Sequence, residues 1–412
     1  MARRLVFLCC LTLLLAACGN AATGPAPLTL GAVYPLSGPQ AEGGEQELAG
    51  VKAALQVARA EGALQRPVDL QARSVESPDG ASATVDQLID RSHVPAVLGT
   101  YGSTLAEAGA AEADRRHTVY WESGAVADLV TQHRDYVFRT VATGMTLGYT
   151  ATRFTHDVLL AHDGLQPAQS RTVIVNVDDV YGRSVADGEA QLAAQLGMPV
   201  VDRISYQPGS EDAAAIAARV AAAHPDYLWD VSYLQDGIAI WRAVEQAGVP
   251  LRAAIGTSSA FCMPAFGAQL GQDAVGTYAA DKPDDRINPN ALTPEARDLL
   301  GKATKAYAAE GMGSQMPIPA VAGFVAGWAL FHGVLPQVHG PVTPDTIRQA
   351  AERLQEPEGT SINGGGIQFA PPGAPNAGQN LRAPSEVGQW QAPNVMRSVW
   401  PPPFATATPK HG

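Results

Sequence analysis

The segment Gly99-Thr100-Tyr101-Gly102-Ser103-Thr104 carries the most specific chemistry in the chain. A short apolar run, Ala96 to Leu98, enters it and a helical pattern leaves it, so glycines and hydroxyls stand where the first N–H groups of a helix lack partners. Such a terminus suits an anion, a carboxylate above all. A purely local reading stays open beside this one, in which Ser103 or Thr104 only caps a helix beginning at Leu105. Other polar and aromatic residues follow other apolar runs: Tyr34, Ser37, Gly38 and Gly43 after the first, and Glu122, Ser123, Gly124 and Ala125 after the fourth. Further along stand Asp178, Asp179, Tyr181, Ser232, Tyr233, Thr257, Ser258 and Ser259. Tyr34 and Tyr101 are candidate apolar walls for a ligand side chain, whereas Trp121, inside an apolar run, is better read as core.

Signatures of catalysis are missing. HExxH, CxxC, the Walker A pattern, GxSxG and GxGxxG do not occur. Histidines show no metal-ligand spacing, and His93, His117, His133 and His224 read as surface or loop residues. The sequence therefore predicts a binding protein with no catalytic residue, no cofactor and no metal.

The elements that must position these residues alternate. Candidate strands are Leu28 to Val33, Val68 to Ala72, Ala96 to Leu98, Thr118 to Trp121, Thr172 to Val177, Val200 to Tyr206, Tyr227 to Val231 and Ala253 to Ile255. Helical stripes separate them, such as Leu48, Val51, Leu55 and Ala58 with Gly62 as the stop. Strand–helix alternation of this kind predicts α/β architecture with parallel sheets, and in such sheets ligands bind beyond the carboxyl ends of the strands. The chain is too long for one core, so two lobes are expected, divided as 28–141 with 272–357 and 142–271 with 358–405. Ile318 to Val338 is apolar but broken by Pro319, Gly323, Gly327, His332 and Pro336, and it reads as a buried helix. Late strands are expected in Ile362 to Phe369 and Val387 to Trp400.

The first residues speak to compartment. Arg3 and Arg4 precede an apolar run, Leu5 to Ala17, of about 13 residues, too short to span a bilayer. Leu15-Ala16-Ala17-Cys18 resembles a lipobox, so residues 1–17 are expected to be a signal peptide, Cys18 the lipidated residue and 18–27 a flexible tether to the membrane. Cys9 and Cys10 leave with the signal, so Cys262 remains as a lone thiol, read as a small buried hydrophobe. Formal net charge is −12, and losing Arg3 and Arg4 makes it more negative still. Such a surface repels phosphate backbones, which argues against nucleic acid as a partner.

Taken together, Leu30-Gly31-Ala32-Val33-Tyr34-Pro35-Leu36-Ser37-Gly38, Tyr101-Gly102-Ser103-Thr104, Asp179-Val180-Tyr181-Gly182, Gly364 to Phe369 and Gln389 to Pro401 resemble the branched-chain amino-acid-type solute-binding proteins, across nearly the whole mature chain. That resemblance implies the type I periplasmic-binding-protein fold, two doubly wound lobes joined by a three-strand hinge, with crossings near Val141, Gly271 and Pro357. It also implies capture of a small ligand, an amino acid or analogue, by a monomer that delivers it to ABC permease subunits. By the same resemblance Ser103 holds a ligand carboxylate, Gly124 and Ala125 add main-chain contacts, and Tyr181 and Tyr233 close over the ligand from the second lobe. Where amino-acid-binding relatives often carry an acid, Gly256-Thr257-Ser258-Ser259 has none. Glu122, Asp178 or Asp179 is then the candidate partner for a ligand ammonium; otherwise the ligand is an amide, a urea-like compound or a carboxylate without an amine. A ligand sensor for a membrane receptor uses the same residues, and a serine hydrolase built on Ser103 or Cys262 lacks an evident general base.

Overall fold

The computed structural model describes residues 26–410; the signal segment, Cys18 and most of the tether lie outside the described residues. Two parallel sheets form, as the strand–helix alternation requires. In the first, β1 (Leu28–Tyr34), β2 (Val68–Ser74), β3 (Ala96–Gly99), β4 (Val119–Glu122) and β5 (Val137–Arg139) lie in the order β2-β1-β3-β4-β5. Helices Ala41–Ala60, Pro78–Ser92 and Ser103–Arg115 cover its faces, which is why β1, β3 and β4 are buried along almost their whole length. The expected stripe Leu48, Val51, Leu55 and Ala58 is buried, and Gly62, at φ 69°, follows the helix end.

The second sheet contains β6 (Thr172–Val177), β7 (Val200–Tyr206), β8 (Tyr227–Val231), β9 (Ala253–Thr257) and β10 (Tyr278–Asp281). Two very short strands, β11 (Gln355–Glu356) and β12 (Ile367–Gln368), pair separately. A late hairpin, β13 (Glu386–Ala392) and β14 (Val395–Trp400), joins the second sheet antiparallel to β10, giving β14-β13-β10-β9-β8-β6-β7. Trp390 and Met396 sink into its core, so this glycine- and proline-rich tail is ordered by the aromatic packing the sequence suggested.

The long apolar segment near residue 320 is a core helix, Ile318–Trp328, prolonged by a π turn over Ala329–Val334. It packs on Ala41–Ala60 with backbones almost touching: a Cβ on Gly50 would lie 2.0 Å from the Ala320 carbonyl oxygen. Trp121 is core as well, its indole donating to the Ala326 carbonyl at 2.8 Å and its ring stacking on Phe138.

The lobe boundaries differ from the sequence expectation in two places. Strand β10 is hydrogen-bonded to β9 and β13, so the second sheet extends past Gly271 and the chain crosses after Asp281. Ile362, Ile367 and Phe369 pack into the first core, so the last crossing falls between Asn380 and Glu386 and not at Pro357. Short apolar runs do not announce which sheet they join, and β10 has only four residues. The first crossing, between Arg139 and Gly144, lies where Val141 was placed.

Arg139 knits two of these crossings together. It is fully buried, and its Nε donates to Gln379 Oε1 at 2.6 Å while Nη1 donates to the Ala127 carbonyl at 2.5 Å. Gln379 Nε2 donates to the Val141 carbonyl at 2.8 Å, and Asn380 Nδ2 to the Thr140 carbonyl at 2.9 Å. Burial pulls the guanidinium down to about 10, still protonated at neutral pH.

Candidate functional site

The carboxyl ends of the two sets of strands face each other, and side chains cross the gap. The Tyr101 hydroxyl meets Ser259 Oγ at 3.1 Å, Thr104 Oγ1 donates to Asp179 Oδ2 at 3.3 Å, and Ser184 Oγ donates to Asp128 Oδ2 at 2.5 Å. Lys282 Nζ, just beyond β10, reaches the Gly124 carbonyl at 3.5 Å. These are bonds of a closed clamp.

Helix Ser103–Arg115 begins two residues before the expected start at Leu105, with Gly102 as its N-cap, so Ser103 and Thr104 lie inside the helix and neither caps it. Ser103 Oγ instead accepts the amides of Val126 and Ala127, at 3.2 and 3.1 Å, and so fixes the loop after β4. Gly124 and Ala125 do not present free amides: both donate to Glu122 Oε1 at 2.7 Å, and Thr100 N donates to Oε2 at 3.1 Å. Glu122 is thereby an internal acceptor inside its own loop, its carboxyl pushed well above the usual range by burial and by Glu47, and not a partner exposed to a ligand ammonium. Asp178 pairs with Arg183 at the surface, while Asp179 caps the helix Val180–Gln195 through Gly182 N.

Tyr34 is buried behind Ser123, whose Oγ it meets at 2.8 Å. Tyr181 donates to the Thr257 carbonyl at 2.7 Å, and its ring packs 5.0 Å from that of Tyr233. Tyr233 donates to Asp179 Oδ2 at 2.9 Å. Thr104, Asp179 and Tyr233 thus meet across the gap, on the wall of an outer groove of about 660 Å³ shared with Pro35, Gln40 and Asp236.

Deeper, beside the hinge, is a cavity of about 10 Å³, the room of roughly one water molecule. Tyr101, Gly124, Ser258, Asp281, Lys282 and Glu47 line it. Sequence reasoning missed the last of these together with the Asp281–Lys282 pair. Glu47 is fully buried; Oε1 accepts from Ser123 Oγ at 2.6 Å and Oε2 has no hydrogen-bond partner. Burial pushes its carboxyl up to about 8, with Ser123 and the Lys282 charge pulling the other way. The signal was present: Glu47 sits four residues from both Gly43 and Val51, on the buried side of its helix. Asp281 and Lys282 follow a strand tip as the expected residues do, but they were assigned to a first-lobe loop. In the second lobe Glu189 repeats the arrangement away from the cavity, its Oε1 accepting from Thr257 Oγ1 at 2.8 Å while Oε2 lacks a partner.

A family model described as periplasmic binding protein matches residues 27–382. The chain belongs to the periplasmic binding protein family. A Leu/Ile/Val-binding protein homolog 8 of Brucella abortus is similar to it, 26% identical over 385 residues that cover 93% of this chain and 92% of the relative. Among solved structures, a leucine-binding protein LivK from Thermotoga maritima superposes with a TM-score of 0.75 at 17% identity, covering 90% of this chain and 98% of that one. A solute-binding protein from R. palustris in complex with benzoate gives 0.70 at 19%, over 92% and 99%. Membership implies an extracytoplasmic protein whose partners are small ligands. Bonds between the lobes would oppose any opening of the gap. Tyr101→Phe deletes one of them, worth about 1 kcal/mol, and is expected to shift the population several-fold toward the open form. Small-angle scattering would then give a larger radius of gyration for the variant without ligand; an unchanged radius would remove Tyr101 from the closure contacts.

Proposed function

We propose that this periplasmic binding protein works as a lipid-anchored monomer, tethered through Cys18, that captures a small polar ligand by lobe closure and presents the closed form to an ABC importer. The ligand class is an amino acid or a related carboxylate or amide. The observation that carries this reading is the cavity at the hinge, where polar groups from both lobes converge on a volume that closure seals. Tyr101 and Thr104 of the first lobe and Ser259 and Asp179 of the second make contacts that exist only when the lobes meet, so a ligand engaging residues on both sides shifts the population toward closure. Likeness to proteins that bind leucine and benzoate supports a small carboxylate-bearing guest.

A thermal-shift screen across amino acids, amides and short carboxylates tests this, since a ligand at 100 times its dissociation constant stabilises by about 2.7 kcal/mol. At least one compound is expected to raise the midpoint and to compact the protein in scattering. A complete absence of hits across all three classes would refute capture of this ligand type.

A further inference from the structure

Within the capture reading, on which the inference rests, the charges around the inner cavity select among ligand classes. Lys282 is the one base among the described residues that line it. Of its three donors, one approaches Asp281 Oδ1 at 3.1 Å and one the Gly124 carbonyl at 3.5 Å. Asp281 Oδ1 also accepts the Lys282 amide at 2.7 Å, so this acid is engaged from two sides. The remaining acid, Glu47, has Oε1 filled by Ser123 and Oε2 unpartnered in a fully buried site. The amides of Gly124 and Ala125 are consumed by Glu122.

We propose that Lys282 and the protonated Glu47 carboxyl form the anchor for an anionic head group, so that the ligand is an organic carboxylate with no ammonium beside it. A carboxylate entering the cavity meets the Lys282 ammonium and an O–H donor on Glu47 that lacks an acceptor. An ammonium entering it meets Lys282, a like charge in a low-dielectric site, with the Asp281 carboxylate already paired. Ser258 and Ser259 on the facing wall are neutral and bring no acid to compensate.

The anchor titrates. Glu47, whose carboxyl lies near 8, is faced by Lys282 and Asp281 from the hinge crossing, Glu122 and Tyr120 from β4, Tyr34 from β1 and Tyr101 from the loop after β3; the helix Ile318–Trp328 packed along its other side has no ionisable residue. As pH rises through that value the donor is lost and a second negative charge appears beside the bound carboxylate, so affinity falls.

Calorimetric titration of the mature protein with 4-methylpentanoate and phenylacetate against leucine and phenylglycine, at pH 6.5 and 9, tests this directly. The deaminated acids are expected to bind at least tenfold more tightly than their amino counterparts at pH 6.5, and to lose at least tenfold by pH 9. Glu47→Gln, which keeps an N–H donor without a titrating proton, is expected to hold its affinity at both pH values, and Lys282→Met to lose at least tenfold. Tighter binding of the amino acids overturns the anchor while leaving capture intact; a failure of all four probes, in a protein that still melts cooperatively, also overturns the anchor, and capture falls with it when the amides of the thermal-shift screen fail too. The wild-type comparison stands even if Lys282→Met does not fold.

Discussion

Arg139→Met is expected to destabilise the protein by about 3–5 kcal/mol, because it strips buried Gln379 Oε1 of its donor and leaves the Ala127 carbonyl with only the Val130 amide, while freeing the two crossings these bonds hold. Methionine fills much of the volume, so the loss reports unsatisfied polar groups more than a cavity. The loss would appear as a thermal midpoint lower by roughly 5 °C. Because Gln379 and Asn380 also bond the carbonyls of Val141 and Thr140, loosening Arg139 frees two crossings at once, and faster proteolysis between Asn380 and Glu386 should accompany the lower midpoint. Arg139→Lys retains charge but not the fork, and should fall between the two. A midpoint for Arg139→Met within about 2 °C of the parent would show that the crossings hold without the guanidinium.

The second large effect is a loss of stability on the alkaline side. Burial raises Glu47 and Glu189 from 4.5 to about 8 and Asp230 from 3.8 to about 7. Such groups keep a proton in the folded protein that the unfolded chain has already released above its ordinary value. The folded state then binds more protons, so unfolding free energy falls with rising pH, by about 1.4 kcal/mol per group for each pH unit between the two values. Stability is therefore fully present below about pH 4.5 for these groups and is withdrawn by pH 8, several kcal/mol in all. Surface carboxylates such as Asp202, held low by Arg219, act in the opposite sense, but only in stronger acid. Urea midpoints from pH 5 to 9 would trace this decline, and the double variant Glu47→Gln, Glu189→Gln should flatten most of it. A maximum at pH 8 would contradict it.

Much of this was legible before any coordinates. Strands buried almost throughout, β1, β3, β4, β6, β8 and β9, leave apolar runs and were readable, as were the partly exposed edge strands β2 and β7; β5, Val-Phe-Arg, and β10, Tyr-Ala-Ala-Asp, were missed because each is short and ends in a charge. The cleft was readable by position, since Tyr101, Thr104, Asp179, Tyr233 and Ser258 follow strands and do meet. What sequence could not say is which amide each oxygen takes. Glu122 looked available because its side chain follows a strand tip, yet three amides close on it. Glu47 was not among the candidates, since a lone acid in an amphipathic stripe is normally solvated, and it is the crossing after β10 that brings Lys282 against it.

Glu47 with Ser123, and Glu189 with Thr257, occupy equivalent places: each acid belongs to the helix after the first strand of its sheet, and each hydroxyl stands at the end of the fourth. The neighbour relations β2-β1-β3-β4-β5 and β7-β6-β8-β9-β10 also coincide. The two halves therefore carry the same acid–hydroxyl latch at corresponding places. Only the first latch borders the cavity at the hinge; the second is sealed within its own half. Redesigning what the clamp accepts therefore begins with one copy, leaving its twin as an internal reference for what the unmodified latch does.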